Sequence, residues 1–322
     1  MNRLSISVCF PLASAKDTLA EALLSAIDQS APPAEVIIID QSQDHSVFLI
    51  AKNIIEHTQP GLRINYIHTS IKGLVHAKSI AVQVFNSDVL LFGEDDMIFD
   101  RNYFQEVLTS FSNYPTLMGV SSLIDEPPFT TSQRLKNLIT YHSKLLIDNR
   151  QIFSRLMHIS NNIIFSPKLY GGSSAWRREV FRVVNFEPNL ILHFTEDIYF
   201  SHKVNSTFGP CSTALLPLPK STHRSETNLL RYRADIFRQR VFEELQFVIT
   251  FSESSFSRCK DSAIVVLTRL TEATFLAPWT STPLLLFAIF SALLDSFFGS
   301  YPYQTTTYAN SNLDHINPQT KL

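Results

Sequence analysis

Three consecutive acids, Glu94, Asp95 and Asp96, follow the apolar run Val89-Leu90-Leu91-Phe92 with only Gly93 between. Carboxylates crowded in this way repel one another and hold protons more tightly unless a cation sits among them. A hard divalent ion suits such a cluster, because it prefers oxygen ligands and commonly leaves positions open for substrate phosphates. The ordinary alternative is a solvated acidic loop. Another acid, Asp40, ends the apolar run Val36-Ile37-Ile38-Ile39, and a pair, Glu196-Asp197, follows Thr195. Acids in a first helical turn are common because they complement the helix dipole. Held there, one of the pair would also have the fixed orientation that a general base needs. His223-Arg224 comes later. A lone histidine is ordinarily structural, and becomes a metal ligand here only if the fold returns it to Asp96.

With 322 residues, the chain can form one large domain or two small ones. At 45% hydrophobic and 17% charged residues it can bury a sizeable core. A net charge of −2 argues against a nucleic-acid partner. Cys9, Cys211 and Cys259 are odd in number and far apart, so they form neither a metal-ligand spacing nor a disulfide framework, which fits a reducing compartment. The apolar residues from Leu4 to Leu12 alternate with Ser5, Ser7 and Cys9, unlike the continuous apolar core of a signal peptide.

The acids need elements to position them. Residues 4–10 alternate with a period of two, a strand ended by Pro11. Ser14, with Asp17 three residues on, is placed to cap a helix carrying Leu19, Leu23, Leu24 and Ile27, which Pro32-Pro33 stop. Strand signals recur at 36–39, 64–67 and 89–92, and helix signals at about 46–57, after Gly73, and through Tyr103, Phe104, Val107, Leu108 and Phe111 with Asp100 as cap. This alternation predicts βαβ units in a parallel sheet covered on both faces by helices. Ligands of such sheets bind at the carboxyl ends of strands, where Asp40 and the acidic triplet fall. The first strand is followed by Pro11-Leu12-Ala13-Ser14 rather than a glycine fingerprint, and the chain has no P-loop. Any phosphate must then be held by a metal and basic side chains.

Beyond a fifth strand at 117–120, residues 125–165 form an insertion, with helices expected around Arg134 to Leu146 and Gln151 to Met157. A lid, an acceptor surface and a packing insert all fit it. Gly171-Gly172 precedes an expected helix from Trp176, and marks either close backbone approach to a ligand or a tight turn. Ala214-Leu215-Leu216-Pro217 reads as a last strand. Arg231, Arg233, Arg238 and Arg240 stud the next helix, as a solvated basic face or a contact for phosphate or acidic lipid. Residues 279–298 are apolar over a length that can just span a bilayer. Pro283 and Asp295 argue instead for a helix packed on the domain or lying at a membrane surface. The polar tail from Tyr301 reads as disordered. The expected organisation is thus a domain at 1–225, a helical and membrane-associated region at 226–300, and a tail at 301–322.

Six motifs stand in order: strand 1 with Pro11, Glu35-Val36-Ile37-Ile38-Ile39-Asp40-Gln41-Ser42, Gly73-Leu74-Val75-His76-Ala77-Lys78, Glu94-Asp95-Asp96, Gly171-Gly172 with Arg177-Arg178, and Glu196-Asp197. In this order they resemble family 2 glycosyltransferases, from Leu4 to about His223. The resemblance implies the GT-A fold: a mostly parallel, Rossmann-like central sheet with helices on both faces, here with a helical C-terminal extension. It implies an inverting transferase that moves a sugar from a nucleotide-diphosphate donor to an acceptor hydroxyl with Mn2+ or Mg2+ as cofactor. It assigns Pro11, Asp40, Lys78, Glu94, Asp95 and Gly172 to the nucleotide sugar, and Asp96 and His223 to the metal. The catalytic acids would be Asp197, as base, and Glu196. The family usually carries Arg-Asn where this chain has Lys78-Ser79, and Asp where it has Glu94.

The apolar C-terminal region fits a saccharide or lipid-linked acceptor in cell-surface polysaccharide or glycolipid synthesis, with the protein cytoplasmic and peripheral at the inner face of the cell membrane. The alternatives are a non-catalytic nucleotide-sugar-binding protein of the same fold and a membrane-surface scaffold. A sugar-phosphate nucleotidyltransferase would need a glycine-rich loop after strand 1.

Overall fold

The structure, a computed structural model, describes residues 4–14, 17–43, 46–125, 131–148, 162–187, 194–224, 233–276 and 281–298, together with Arg150, Phe153 and Leu192. The expected helix at 151–157 and the tail from Tyr301 lie outside the described residues.

The first half alternates as its periodicity predicts. Strand β1 (Ile6–Leu12), helix α1 (Leu19–Ile27), β2 (Glu35–Asp40), α2 (Ser46–Thr58), β3 (Arg63–His68), α3 (Leu74–Val84) and β4 (Val89–Phe92) follow one another. Strands β1 to β4 pair in parallel in the spatial order β3-β2-β1-β4. Strand β2 is buried along its whole length, which explains its unbroken apolar run. Strand β1 continues through Pro11 to Leu12 instead of ending at the proline. Its pairing with β4 stops at Cys9, so the missing Pro11 N–H leaves no ladder bond broken on that side. Helix α1 begins later than Ser14 suggests, after Thr18, because its buried stripe of Leu19, Ala22, Leu23, Ala26 and Ile27 sets where the helix can pack.

The sheet then changes character. The short β5 (Met97–Ile98), helix α4 (Tyr103–Asn113), β6 (Gly119–Asp125), helix α5 (Thr131–Thr140), β7 (Ile164–Phe165), β8 (Ser174–Arg177), helix α6 (Glu196–Phe208) and the long β9 (Thr213–His223) complete the main domain. Along the sheet the order continues from β4 to β8, β6, β9 and β5, with β7 pairing β9. Strands β5, β7 and β8 pair antiparallel to their neighbours, and the six others share one direction. Asp100 does not cap α4 by itself; its Oδ1 accepts from Asn102 N at 2.9 Å in the turn just before the helix. The expected helix from Trp176 is instead β8, followed by the 3-10 turn Arg178–Arg182. Trp176 supplies the reason: it is almost fully buried, and Gly119 lies under its ring where a Cβ would fall 2.4 Å away.

Three C-terminal helices, α7 (Ala234–Phe251), α8 (Ser255–Thr271) and α9 (Thr282–Phe298), bury a second apolar cluster around Phe237, Val241, Val248, Val265, Leu285 and Ile289. Helix α5 ends at Thr140, short of Leu146, and packs on α8, so this part of the insertion belongs with the helical layer. Asp295 on α9 accepts from Arg238 Nε on α7 at 3.1 Å, which accounts for an acid in an apolar helix. Among the described residues, no helix is long and apolar enough to cross a membrane.

Candidate active site

The acidic triplet leaves the sheet at the end of β4. Gly93 N donates to Cys9 O at 2.8 Å, and a Cβ on Gly93 would meet the Phe10 ring at 2.8 Å, so the chain turns out there over a residue without a side chain. The turn through Glu94, Asp95 and Asp96 is closed by Met97 N donating to Glu94 O at 3.1 Å. Strand β5 then pairs antiparallel with the end of β9, with Met97 opposite His223, and Arg224 N donates to Asp96 O at 2.8 Å. This pairing brings His223 back across the sequence, its Nε2 3.3 Å from Asp96 Oδ1.

Glu94, Asp96 and His223 therefore form one cluster, with ligand atoms all within 4.8 Å of one another. Burial pushes the Glu94 carboxyl up, Lys78 offsets part of this, and Asp96 adds to it. Two carboxylates and an imidazole are a donor set that suits Mn2+ or Mg2+, and a cation among them would relieve that crowding. Asp95 lies on the same turn, half-buried.

The acid pair is held at the start of α6. Thr195 does not cap the helix with its side chain; Thr195 Oγ1 and the backbone N–H groups of Phe194 and Thr195 all donate to Glu243 Oε2 on α7, at 3.1, 2.9 and 3.1 Å. Glu196 is buried, with Lys78 Nζ 3.2 Å from its Oε1. Burial raises the Glu196 carboxyl to about 7 against the pull of Lys78, with Asp197 and Glu94 adding to the rise. Asp197 is more open. Its Oδ2 accepts from Arg150 Nη1 at 2.8 Å and its Oδ1 from Ile198 N at 2.7 Å. Arg150 also donates to Leu169 O at 2.5 Å and, through Nη2, to Asp148 Oδ2 at 2.8 Å. Nothing in the sequence singled out Arg150: it lies inside the insertion, far along the chain from Asp197, and no local pattern links them.

The Gly171-Gly172 turn joins the two groups. A Cβ on Gly172 would fall 2.7 Å from the Glu94 carboxyl carbon, and one on Gly171 would fall 3.0 Å from Glu196 Oε1 and 3.1 Å from Asp197 Cβ. Only glycines let the backbone pass between the carboxylates so closely.

The remaining candidates are placed differently. Asp40 sits at the end of β2 but is fully buried, its carboxylate accepting from Ser42 N at 2.7 Å and Tyr66 Oη at 2.5 Å. Pro11 is half-buried near the same strand end, opposite Ile39. The Lys78 ammonium is buried against Glu196 and over the Phe92 ring at 5.2 Å. Arg177 and Arg178 tie the ends of β4, β6 and α4 through carbonyls, including Leu117 O at 2.7 Å and Ser87 O at 2.8 Å.

Several solved structures share this fold. The mannosyltransferase PcManGT from Pyrobaculum calidifontis, in complex with GDP-Man and Mn2+, superposes with a TM-score of 0.59 at 13% identity, over 93% of this chain and 88% of that one. GalNAc-T7 with UDP, GalNAc and Mn2+ gives 0.60 at 16% identity, over 94% of this chain but 59% of its own length. S. aureus TarS 1-349 in complex with UDP-GlcNAc gives 0.56 at 12% identity, over 90% and 81% of the two chains. No curated protein matches in sequence. Residues 7–182, more than half of the chain, match the family described as Glycosyl transferase family 2. With its GT-A sheet and its acids gathered at one end of that sheet, the chain belongs to glycosyl transferase family 2.

Proposed function

We propose that the protein transfers a sugar, with inversion at the anomeric carbon, from a nucleotide-diphosphate donor to an acceptor hydroxyl. The observation that carries this reading is the Gly171-Gly172 turn, which sets the Glu94–Asp96–His223 cluster beside the Glu196–Asp197 pair within one site. A divalent cation held by Glu94, Asp96 and His223 would neutralise the charge that grows on the leaving diphosphate. Asp197 is the base: it is the more open of the two acids, and Arg150 and Ile198 N fix its carboxylate in one orientation. A base that takes the acceptor proton during direct attack leaves the anomeric centre inverted and needs no covalent glycosyl-enzyme. Glu196, buried on Lys78, positions its neighbour and the wall of the site.

The ligands of the structural neighbours, GDP-Man, UDP with GalNAc, and UDP-GlcNAc, make guanosine and uridine diphosphate sugars the first to try. A lipid-linked or cell-surface saccharide acceptor, and a peripheral position on the inner face of the cell membrane, draw support from α9. Its Leu284, Phe287 and Phe290 are 61%, 70% and 58% exposed, while Leu285, Ala288, Ile289 and Ala292 face the core. The arginines of α7 do not add to that support, since Arg238 is spent on Asp295 and Arg240 lies 3.6 Å from Glu272.

The test is titration of UDP, dTDP and GDP with and without Mn2+, followed by turnover of the matching sugar. Metal-dependent binding of one nucleotide that Asp96→Ala abolishes supports the reading. Binding that ignores both the metal and Asp96 would overturn it. Flotation with vesicles checks the membrane position: a protein that stays with the soluble fraction removes it.

A further inference from the structure

A cavity of about 180 Å³ lies behind the acid pair, where the main domain meets the helical layer. Thr195 and Ile198, which flank the catalytic acids, form one wall, and α5, α7 and α8 form others. Five cationic side chains reach it: Lys136, Arg150, Lys168, Arg240 and Arg269. The two carboxylates in its lining are already engaged. Asp148 is held by Arg150, and Glu244 Oε2 accepts from Arg269 Nε at 2.9 Å. Arg150 and Arg240 have acids of their own in Asp197 and Glu272.

Lys168 is the buried exception. It is 5% exposed, its ammonium donates to Ile147 O at 2.8 Å, and no carboxylate stands within ion-pair distance of it among the described residues. Burial pushes its amine down to about 8, although Asp148 pulls the other way from further off. A buried ammonium is costly without a counter-anion, and this one lines the cavity. Lys136 stands exposed beside the same cavity, also without an acid within ion-pair distance among the described residues.

We propose that this cavity binds a phosphate group carried by the acceptor, with Lys168 as its main contact and Lys136 as a second. The proposal rests on the transferase reading above and names the acceptor class it leaves open. The volume suits a phosphate-sized group rather than a nucleotide. On that reading the donor diphosphate would sit at the Glu94–Asp96–His223 cluster, on the far side of the Gly171-Gly172 turn. Arg150 reaches the cavity and donates to Asp197, so the guanidinium that orients the base also feels the anion. A phosphate anchored here would hold the rest of the acceptor beside Asp197, which is where its hydroxyl must lie.

The test uses the full chain without donor or metal, titrated with inorganic phosphate, with a hexose 1-phosphate, and with a polyprenyl phosphate in detergent micelles. At least one of the three binds. Lys168→Met weakens that binding by about tenfold or more, the loss of one charge-assisted contact, while the melting temperature and metal-dependent nucleotide binding stay at the wild-type level. Lys136→Met, at a residue on the cavity rim, weakens it by about two- to fivefold. The tighter of the two esters identifies the source as a saccharide phosphate or a lipid phosphate. Binding of none of the three, or binding unchanged in both variants, overturns the proposal. The two readings fail separately: phosphate binding without metal-dependent nucleotide binding would sink the transferase reading and leave the cavity's ligand in place.

Discussion

The two acid groups on either side of the Gly171-Gly172 turn differ in how their charge is met. In the acid pair each carboxylate has its own cation from the protein, Lys78 for Glu196 and Arg150 for Asp197. In the cluster two carboxylates crowd around one imidazole, and the Glu94 carboxyl is pushed up by burial and by Asp96. Each acid of the pair has a protein cation at hydrogen-bond distance, although burial, Asp197 and Glu94 still raise Glu196. The cluster becomes complete when a cation joins it. On the proposed reading, an exchangeable ion would serve the leaving-group side and fixed protein charges would hold the base.

Removing the acceptor-side function should produce the largest effect. Asp197→Asn keeps the shape and the bond from Ile198 N but loses the proton acceptor, so turnover should fall by about 10²- to 10⁴-fold with nucleotide binding intact. Equal loss of nucleotide binding would show that Asp197 belongs to the donor side and would blur the distinction. Asp96→Ala, or chelation of divalent ions, should act on the other side and abolish metal-dependent nucleotide binding. Calorimetry on both variants separates the two halves.

Gly172→Ala is the next step down. Its Cβ would press on the Glu94 carboxyl at 2.7 Å, so metal affinity should drop by roughly 10- to 100-fold while the fold persists. Unchanged affinity would mean that Glu94 is no ligand. The smallest effect concerns stability. Folding raises the Glu196 carboxyl from 4.5 to about 7, so it is the protonated form that the fold favours. Its contribution to stability is fully present below pH 4.5 and is lost as pH rises through about 7. Glu196→Gln should therefore flatten the pH dependence of urea unfolding between those values; an identical slope in the variant would place the proton elsewhere.

Much of the parallel half of the sheet is legible in the sequence. The strands of the parallel sheet announce themselves because a buried strand needs an unbroken apolar run, and an acid closing such a run must lie at the carboxyl edge. The antiparallel half is harder to read. Trp176 and the arginines after it have the pattern of a helix start, and only the packing of Trp176 over Gly119 makes that stretch a strand. The Lys78 motif is legible, but the sequence does not reveal that its amine meets an acid 118 residues away.

The sequence by itself determined the residue types, the order of the motifs and the alternation of the first four strands, because periodicity and chain breaks act over a few residues. Only the tertiary structure decided which charges meet. His223 reaches Asp96 because β5 and β9 pair across 126 residues of chain, counted from Met97 to His223. Arg150 reaches Asp197 across 47 residues of chain. Coulomb interactions depend on distance in space and on burial, and neither is written in the spacing of residues along the chain.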